Sequence, residues 1–156
     1  LDMNDVVLDV LRIIRSDLLN RNVDVVLDLS PNLPPIEGDR VQLQQVLLNL
    51  IMNGADAMAE VSAGREITLH TRADDAGDVQ VSVTDVGRGI PEEDIERIFS
   101  PFVTTKASGI GLGLAVCVSI IHTHRGEIWA TNNDARGATL HFSLPAWGDT
   151  SHRPSR

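Results

Sequence analysis

Two glycine clusters lie in the stretch from Asp85 to Gly113. The first consists of Gly87 and Gly89 and follows a strand-like run that ends in an acid. The second, Gly109-Ile110-Gly111-Leu112-Gly113, begins an apolar helical run. Glycine permits positive φ and close approach of the backbone to a ligand, and a helix N-terminus favours an anion. The two clusters therefore predict a nucleotide cradle, although the residue order matches neither a P-loop nor a GxGxxG turn.

Two charged side chains of this stretch are candidate ligand contacts. Asp85 ends the strand-like run, and its carboxylate can accept a hydrogen bond from an exocyclic amine such as that of adenine. For this residue alone, a turn-forming aspartate is the more common alternative. Lys106 lies in the loop before the second cluster and can meet terminal phosphates as a point charge. A solvated loop lysine is the alternative for that position.

A pair of asparagines offers a second kind of ligand. Asn49 and Asn53 are four residues apart in a predicted helix, so their side chains share one face, and Asp56 continues that polar face. An amide oxygen is a neutral hard donor, suited to Mg²⁺ that already carries phosphate charge. The alternative is an ordinary solvated helix face, but asparagine is a poor helix former and its presence here needs a reason.

Composition limits the class of protein. The chain has 156 residues, 42% of them hydrophobic, which is typical of one domain with a real core. Its net charge of -9 argues against nucleic-acid partners and contact with anionic membranes, because both depend on basic patches. Cys117 is the single cysteine, so we expect a buried core residue. The first residue is Leu1, which leads us to expect a fragment of a larger protein.

Hydrophobic periodicity and turn signals position these residues. They predict three long helices, one short helix, five strands and a disordered tail. The helices span Met3 to Asn20, Asp39 to about Glu60, Pro91 to about Phe99, and Leu112 to about Thr123; the strands span Val23 to Leu29, Glu66 to Arg72, Val79 to Val83, Glu127 to Thr131, and Ala138 to Leu144; the tail begins at Gly148. We predict one domain over residues 1–147, an α/β (α+β) two-layer sandwich. Its mixed, mostly antiparallel sheet of about five strands has about three helices on one face.

Five ordered segments resemble a known family. LQQVLLNLIMNGADAM, DVGRGI, IFSPFVTTK, GIGLGLAV and GATLHFSLP are similar to the N, G1, F, G2 and final-strand boxes of sensor histidine kinases, in the ATP-binding catalytic domain. The resemblance runs from the first helix to Pro145. It implies the Bergerat sandwich, ATP and Mg²⁺ as cofactors, and transfer of the γ-phosphoryl group to a histidine. The six residues between Phe102 and Gly109 make a short lid, which resembles the nitrogen-regulation and oxygen-sensing subgroup.

The resemblance assigns roles residue by residue. It implies that Asn53 is the Mg²⁺ ligand, that Asn49 lies at the phosphates and that Asp85 reads adenine. The remaining ATP-binding residues that it implies are Asp56, Gly87, Gly89, Ile90, Phe99, Lys106, Gly109, Ile110, Gly111, Leu112, Gly113 and Thr139. Lys106 and the glycines of the second cluster correspond to the lid and its hinge. Asp56 stands where other subgroups carry a lysine.

Two departures from related proteins bear on activity. Asn49 replaces the glutamate that acts as base in gyrase, Hsp90 and MutL ATPases, and an amide cannot take that proton. None of the five histidines resembles a phosphoacceptor box; they are His70, His122, His124, His141 and His152. We therefore expect the acceptor histidine before Leu1, on dimerisation helices of the same kinase, with a response regulator receiver domain downstream. A cytoplasmic location is expected, and a regulatory docking module or a hydrolytic ATPase are the alternatives.

Overall fold

Five strands form one mixed sheet in the computed structural model, which describes residues 1–100 and 113–148. The elements are α1 (Met3–Asn20), β1 (Asp24–Leu29), α2 (Arg40–Ala57), β2 (Glu66–Ala73), β3 (Val79–Thr84), a 3₁₀ helix (Glu92–Asp94), α3 (Gly113–Thr123), β4 (Glu127–Asn132) and β5 (Ala138–Leu144). The strand order is β1-β2-β3-β5-β4. Only β1 and β2 are parallel among the described pairs, so the predicted mixed, mostly antiparallel sheet is confirmed.

Aspartates begin the first two helices. Asp2 accepts a hydrogen bond from the backbone N–H of Asn4 at 2.9 Å, and Asp39 accepts one from Gln42 at 3.0 Å. Each bond satisfies a backbone donor that the first turn leaves free. The predicted cap at Asp39 is therefore confirmed. Of the helices in the described residues, none has both the length and the apolarity that crossing a membrane requires.

The second helix ends earlier than the predicted Glu60. Its last residue is Ala57, and the carbonyl groups of the following turn accept from Arg65 instead of continuing the helix. The Arg65 side chain donates to the Ala59 carbonyl at 2.9 Å and to the Val61 carbonyl at 2.7 Å. A guanidinium group thus supplies donors that a further helical turn would otherwise provide.

The core lies between the helices and one face of the sheet. Alternate residues of the central strands β3 and β5 point into it, and Phe142 is fully buried there. The helices contribute apolar stripes at helical spacing. The buried residues that α1 and α2 place in this core are Met3, Val6, Val7, Val10, Ile14, Leu18, Leu43, Val46, Leu47, Leu50, Ile51 and Ala55. This packing fixes the position of α2 against α1, α3 and the sheet.

The helix predicted from Pro91 to about Phe99 is shorter than expected. Only Glu92–Asp94 forms a 3₁₀ helix, and turns follow it to Ser100. Its bonds are mostly of the i to i+3 type, such as Asp94 N–H to the Pro91 carbonyl at 2.8 Å. So short a segment cannot offset the cost of helix nucleation, and a tight 3₁₀ turn is the usual result.

The other face of the sheet carries polar residues, with His141 at its centre. His141 Nδ1 lies 2.9 Å from Ser82 Oγ, and Nε2 lies 2.9 Å from Thr131 Oγ1. The ring of Trp129 stacks on it with centroids 5.1 Å apart. Gln80 directs its amide nitrogen at Nδ1, because its oxygen already accepts from Arg72. This arrangement assigns Nδ1 as acceptor and the proton to Nε2.

We predict that acid destabilises the domain through His141. Burial, followed by the charges of Arg72 and His70, lowers the pKa of His141 below its ordinary value of 6.5. The unfolded chain therefore binds a proton first, so stability falls as the pH drops from 6.5 toward the lowered pKa, by at most about 1.4 kcal/mol per pH unit. Urea unfolding between pH 8 and pH 5 measures this slope. An equal slope in His141→Gln would contradict the assignment.

Candidate functional site

Asp85 stands directly after β3 with only 4% of its surface exposed. Its Oδ1 accepts from the N–H groups of Gly87 at 2.8 Å and Ala138 at 3.3 Å, which holds the carboxylate in one orientation. The turn-forming role considered for this residue is thus present. Oδ2 points toward Gly54 of α2, where an added Cβ would lie 3.7 Å away. No donor within the described ranges bonds to Oδ2, so one oxygen of this carboxylate remains available to a ligand.

Burial raises the pKa of Asp85 above its ordinary 3.8, although the Gly87 and Ala138 bonds and the charge of Arg88 lower it in part. The ionised form is therefore less favourable in the fold than in the unfolded chain. This cost is absent below pH 3.8 and present in full above the raised pKa. A buried acceptor kept at such a cost is characteristic of functional sites.

One stripe of α2 runs from the start of α3 to the loop that follows Asp85. Asn49, Asn53 and Ala57 follow one another at intervals of four residues and so share a helix face. At one end, Asn49 Nδ2 donates to the Gly113 carbonyl, at the first residue of α3, over 3.2 Å. At the other end, Gly87 packs so tightly on the Ala57 carbonyl that any Cβ would overlap it. Asn53 therefore lies between the start of α3 and the loop that follows Asp85.

Cys117 lies beneath Asn49. Its sulfur is 3.8 Å from Asn49 Nδ2, and burial raises the pKa of the thiol to about 11, against a smaller opposing effect of the Asn49 bond. The thiol stays protonated and buried at neutral pH, so it is unreactive. The prediction of a buried core cysteine is confirmed.

Asp56 has a partner within the protein. Its Oδ1 accepts from Arg21 Nη1 at 2.7 Å, which ties α2 to the end of α1. The Asp56 carboxylate is thus engaged by Arg21 within the protein, on the same face of α2 that carries Asn49 and Asn53. An ion pair explains why an acid is tolerated at this position.

Thr139 lies on the polar face of the sheet. Side chains alternate along β5, and Leu140 points into the core, so Thr139 points to the polar face of the sheet. Its Oγ1 donates to Asn133 Oδ1 at 2.6 Å and lies 2.9 Å from Thr84 Oγ1. The structure does not bring Thr139 together with Asn53 or with the free oxygen of Asp85.

The remaining predicted residues fall into two groups. Gly89 has φ of +76°, and Ile90 and Phe99 are half-buried at the edge of the core, near the end of the loop that starts at Asp85. The others lie outside the described residues; they are Lys106, Gly109, Ile110, Gly111 and Leu112. Their predicted roles in the lid remain predictions.

Sequence reasoning missed Gly54. This glycine lies inside α2 and gives Asp85 Oδ2 a neighbour without a side chain. A signal was present, because glycine within a helix costs about 1 kcal/mol relative to alanine and therefore needs a reason. The structure places Gly54 where an added Cβ would touch Asp85, 3.5 Å from its Cβ and 3.7 Å from Oδ2.

Sequence reasoning also missed Asn132 and Asn133, which lie at the end of β4 and the start of the turn to β5. Both side chains bond to the backbone of the Asp85–Ile90 loop. Their partners are more than forty residues away in the chain, and no local pattern indicates such contacts.

Metal binding by protein side chains alone has little support in the described residues. Within residues 1–100 and 113–148, no three His, Cys, Asp or Glu side chains are grouped so that they could hold a metal. A cation at Asn53 would therefore take most of its ligands from phosphate and water, as Mg²⁺ commonly does.

Comparison with known proteins finds a matching family and similar proteins. Residues 38–148 match the family described as histidine kinase-, DNA gyrase B- and HSP90-like ATPases. The chain is similar to the sensor histidine kinase TmoS of Ectopseudomonas mendocina, 37% identical over 147 residues, which is 93% of this chain and 15% of TmoS. It therefore spans less than a sixth of that relative.

Solved structures agree. The catalytic domain of histidine kinase ThkA superposes with a TM-score of 0.79 at 33% identity, over 93% of this chain and 94% of that one. ThkA in complex with the response regulator protein TrrA also matches, with a TM-score of 0.79 and 31% identity, over 97% of this chain and 42% of that one.

Proposed function

This chain belongs to the family of histidine kinase-, DNA gyrase B- and HSP90-like ATPases, and we propose that it is the ATP-binding catalytic domain of a sensor histidine kinase. In this function it presents ATP to a histidine on separate dimerisation helices of the same kinase. A response regulator receiver domain then takes the phosphoryl group.

The buried carboxylate of Asp85 carries this proposal. Oδ1 is held by two backbone N–H groups, while Oδ2 points at the bare backbone of Gly54. A fixed acceptor to which no described residue donates fits the exocyclic amine of adenine, because a carboxylate can only accept. A phosphate would be repelled by the same group, so the base and not the phosphates belongs here.

The phosphates of ATP belong at the other end of the stripe, near Asn49. Asn49 and Asn53 supply amide groups, and α3 begins at Gly113 beside Asn49. A helix N-terminus offers free N–H groups and a positive dipole end to an anion. We propose that Asn53 is the protein ligand of Mg²⁺ and that Asn49 lies at the phosphates. Bound ATP would supply the γ-phosphoryl group, and the domain positions it and stabilises its charge.

The same residues favour transfer to a partner over hydrolysis. Asn49 is an amide whose nitrogen donates to the Gly113 carbonyl, and it cannot accept a proton from water. Asp56, two turns further along α2, is paired with Arg21. A receiver-domain partner is supported by the similarity to ThkA, which has been crystallised with the response regulator TrrA.

Labelling with radioactive ATP tests the proposal. The isolated domain should bind ATP, leave it almost unhydrolysed and acquire no label. Histidine-bearing dimerisation helices added in trans should become labelled slowly, because two separate pieces lose the effective concentration of a short linker, roughly mM. Brisk phosphate release without a partner would indicate a hydrolase instead, and absence of ATP binding would leave a docking module.

A substitution of Asn53 tests the metal assignment. Asn53→Ala should lose the part of nucleotide affinity that depends on Mg²⁺ and keep the part that does not, because Asp85 reads the base elsewhere. Calorimetry with and without Mg²⁺ measures both parts. Gln44→Ala is the matched control, since nine residues of helix place Gln44 on the opposite side of α2. A variant that responds to Mg²⁺ as the parent does would remove the ligand role from Asn53.

A further inference from the structure

We propose that Asn132 and Asn133 are positioning residues for the Asp85–Ile90 loop, so that they set the affinity and base selectivity of nucleotide binding without contacting the ligand. The inference rests on the proposed function, because it concerns the same site. The two asparagines end β4 and begin the turn to β5. They hold opposite ends of the loop.

Asn132 holds the end of the loop. Its Oδ1 accepts from the Ile90 N–H at 2.8 Å, and its Nδ2 donates to the Ile90 carbonyl at 2.6 Å. One side-chain amide thus satisfies both polar groups of one backbone residue, as a neighbouring strand would do. Gly89 fits closely against it, since an added Cβ would lie 3.1 Å from Asn132 Oδ1.

Asn133 holds the beginning of the loop. Its Nδ2 donates to the carbonyl of Asp85 at 3.0 Å and to that of Arg136 at 3.1 Å. Its Oδ1 accepts from Thr139 Oγ1, which in turn lies 2.9 Å from Thr84 Oγ1. The amide is therefore oriented by hydroxyl groups of the two strands on which the loop depends. Thr139 therefore acts on the site indirectly, by orienting Asn133.

Only asparagine satisfies both positions. Each side chain uses a donor and an acceptor at once, and they lie at opposite atoms of the same planar group. Aspartate keeps the shape but loses the donor, and alanine loses both. Because Asp85 Oδ2 is aimed by the backbone on which it stands, release of the loop would turn the acceptor away from adenine.

Calorimetry and amide exchange test the inference in the whole domain. Asn132→Ala and Asn133→Ala should each bind an ATP analogue about tenfold more weakly, which corresponds to one or two lost hydrogen bonds. The preference for ATP over ITP, which lacks the exocyclic amine, should fall together with this affinity. Without nucleotide, the Ile90 amide should exchange faster in Asn132→Ala, where its acceptor is missing.

Asn4→Ala is the matched control. Asn4 Nδ2 donates to the Ser30 carbonyl at 2.7 Å, and its Oδ1 accepts from Thr71 Oγ1 at 2.8 Å, far from the loop in the fold. This variant should lose stability but keep nucleotide affinity and selectivity. If the alanine variants do not fold, Asn132→Asp and Asn133→Asp should show the same loss of affinity.

The outcomes separate the two proposals. A parent domain that ignores ATP would remove the proposed function. A parent that binds ATP, with asparagine variants that match it in affinity, selectivity and Ile90 exchange, would overturn only the positioning role. Equal loss of affinity in Asn4→Ala would also overturn it, because the effect would then follow overall stability.

Discussion

Asp85→Asn should weaken ATP binding by more than about tenfold while the folded domain remains as stable as the parent or becomes more stable. The substituted side chain keeps its size, and its carbonyl oxygen can still accept from Gly87 and Ala138. The amide nitrogen then replaces Oδ2 beside Gly54 and faces the exocyclic amine with a donor. Two donors cannot bond to each other, so binding is lost.

Stability should change in the opposite direction because of the charge. Burial raises the pKa of Asp85, so ionisation costs more in the folded than in the unfolded state, and this cost is present at neutral pH. A neutral amide removes it. The difference in stability between parent and variant should therefore shrink as the pH falls toward 3.8, where the parent carboxyl is neutral too.

Calorimetry with ATP and ITP, together with thermal unfolding, checks both halves. The variant should lose its preference for ATP, because the amide can donate to the ring carbonyl of ITP. Asp28→Asn is a suitable control, since the Asp28 side chain is 73% exposed on β1. A variant that still prefers ATP would remove Asp85 as the adenine reader.

Among the substitutions proposed for this domain, Gly137→Ala should cause the largest loss of stability, about 3 kcal/mol or more. Gly137 has φ of +83°, a conformation that costs an alanine about 1–2 kcal/mol. Its Cβ would also overlap the Asp85 carbonyl and the backbone of Val86, and overpacking adds about 1–3 kcal/mol. The β4–β5 turn and the Asp85 loop would have to separate, so ATP affinity should fall too.

Gly77→Ala separates the backbone cost of positive φ from the cost of the overlap with the Asp85 loop. Gly77 lies in the turn between β2 and β3 at φ of +87°, but an added Cβ would meet nothing within 4 Å. It should therefore lose only the backbone contribution, about 1–2 kcal/mol, and keep nucleotide affinity. Urea unfolding of both variants measures the difference. Similar losses would mean that contact with Asp85 contributes nothing.

Patterns within one element were sufficient for most of the fold. The α1 bounds, Met3 to Asn20, were predicted without error, because the buried apolar residues of that helix repeat at helical spacing. In the ladder of β3 against β5, Val83 pairs with Leu140 and Val79 with Leu144, and all four are buried. The family resemblance located Asp85, Asn49 and Asn53, whose boxes are local in sequence.

Contacts between distant segments were not predictable in the same way. Arg65 bonds to the carbonyl groups of Ala59 and Val61 just past the end of α2, and the segment after Pro91 was too short for an α-helix. The place of Thr139 was available in the sequence, since it alternates with Leu140 and Phe142 along β5. The roles of Asn132 and Asn133 were not, because an amide shows no sequence sign of the backbone it will meet.

The position of β5 between β3 and β4 has a consequence for biosynthesis. Asp85 leaves the ribosome before its partner Ala138, which lies 53 residues later in the chain, or about 3 to 10 s at ordinary rates of translation. During that interval β3 has no neighbour on one side, and Asp85 Oδ1 has only the Gly87 N–H as a backbone donor. Asp85 Oδ1 therefore gains its full set of backbone donors only after β5 has been synthesised.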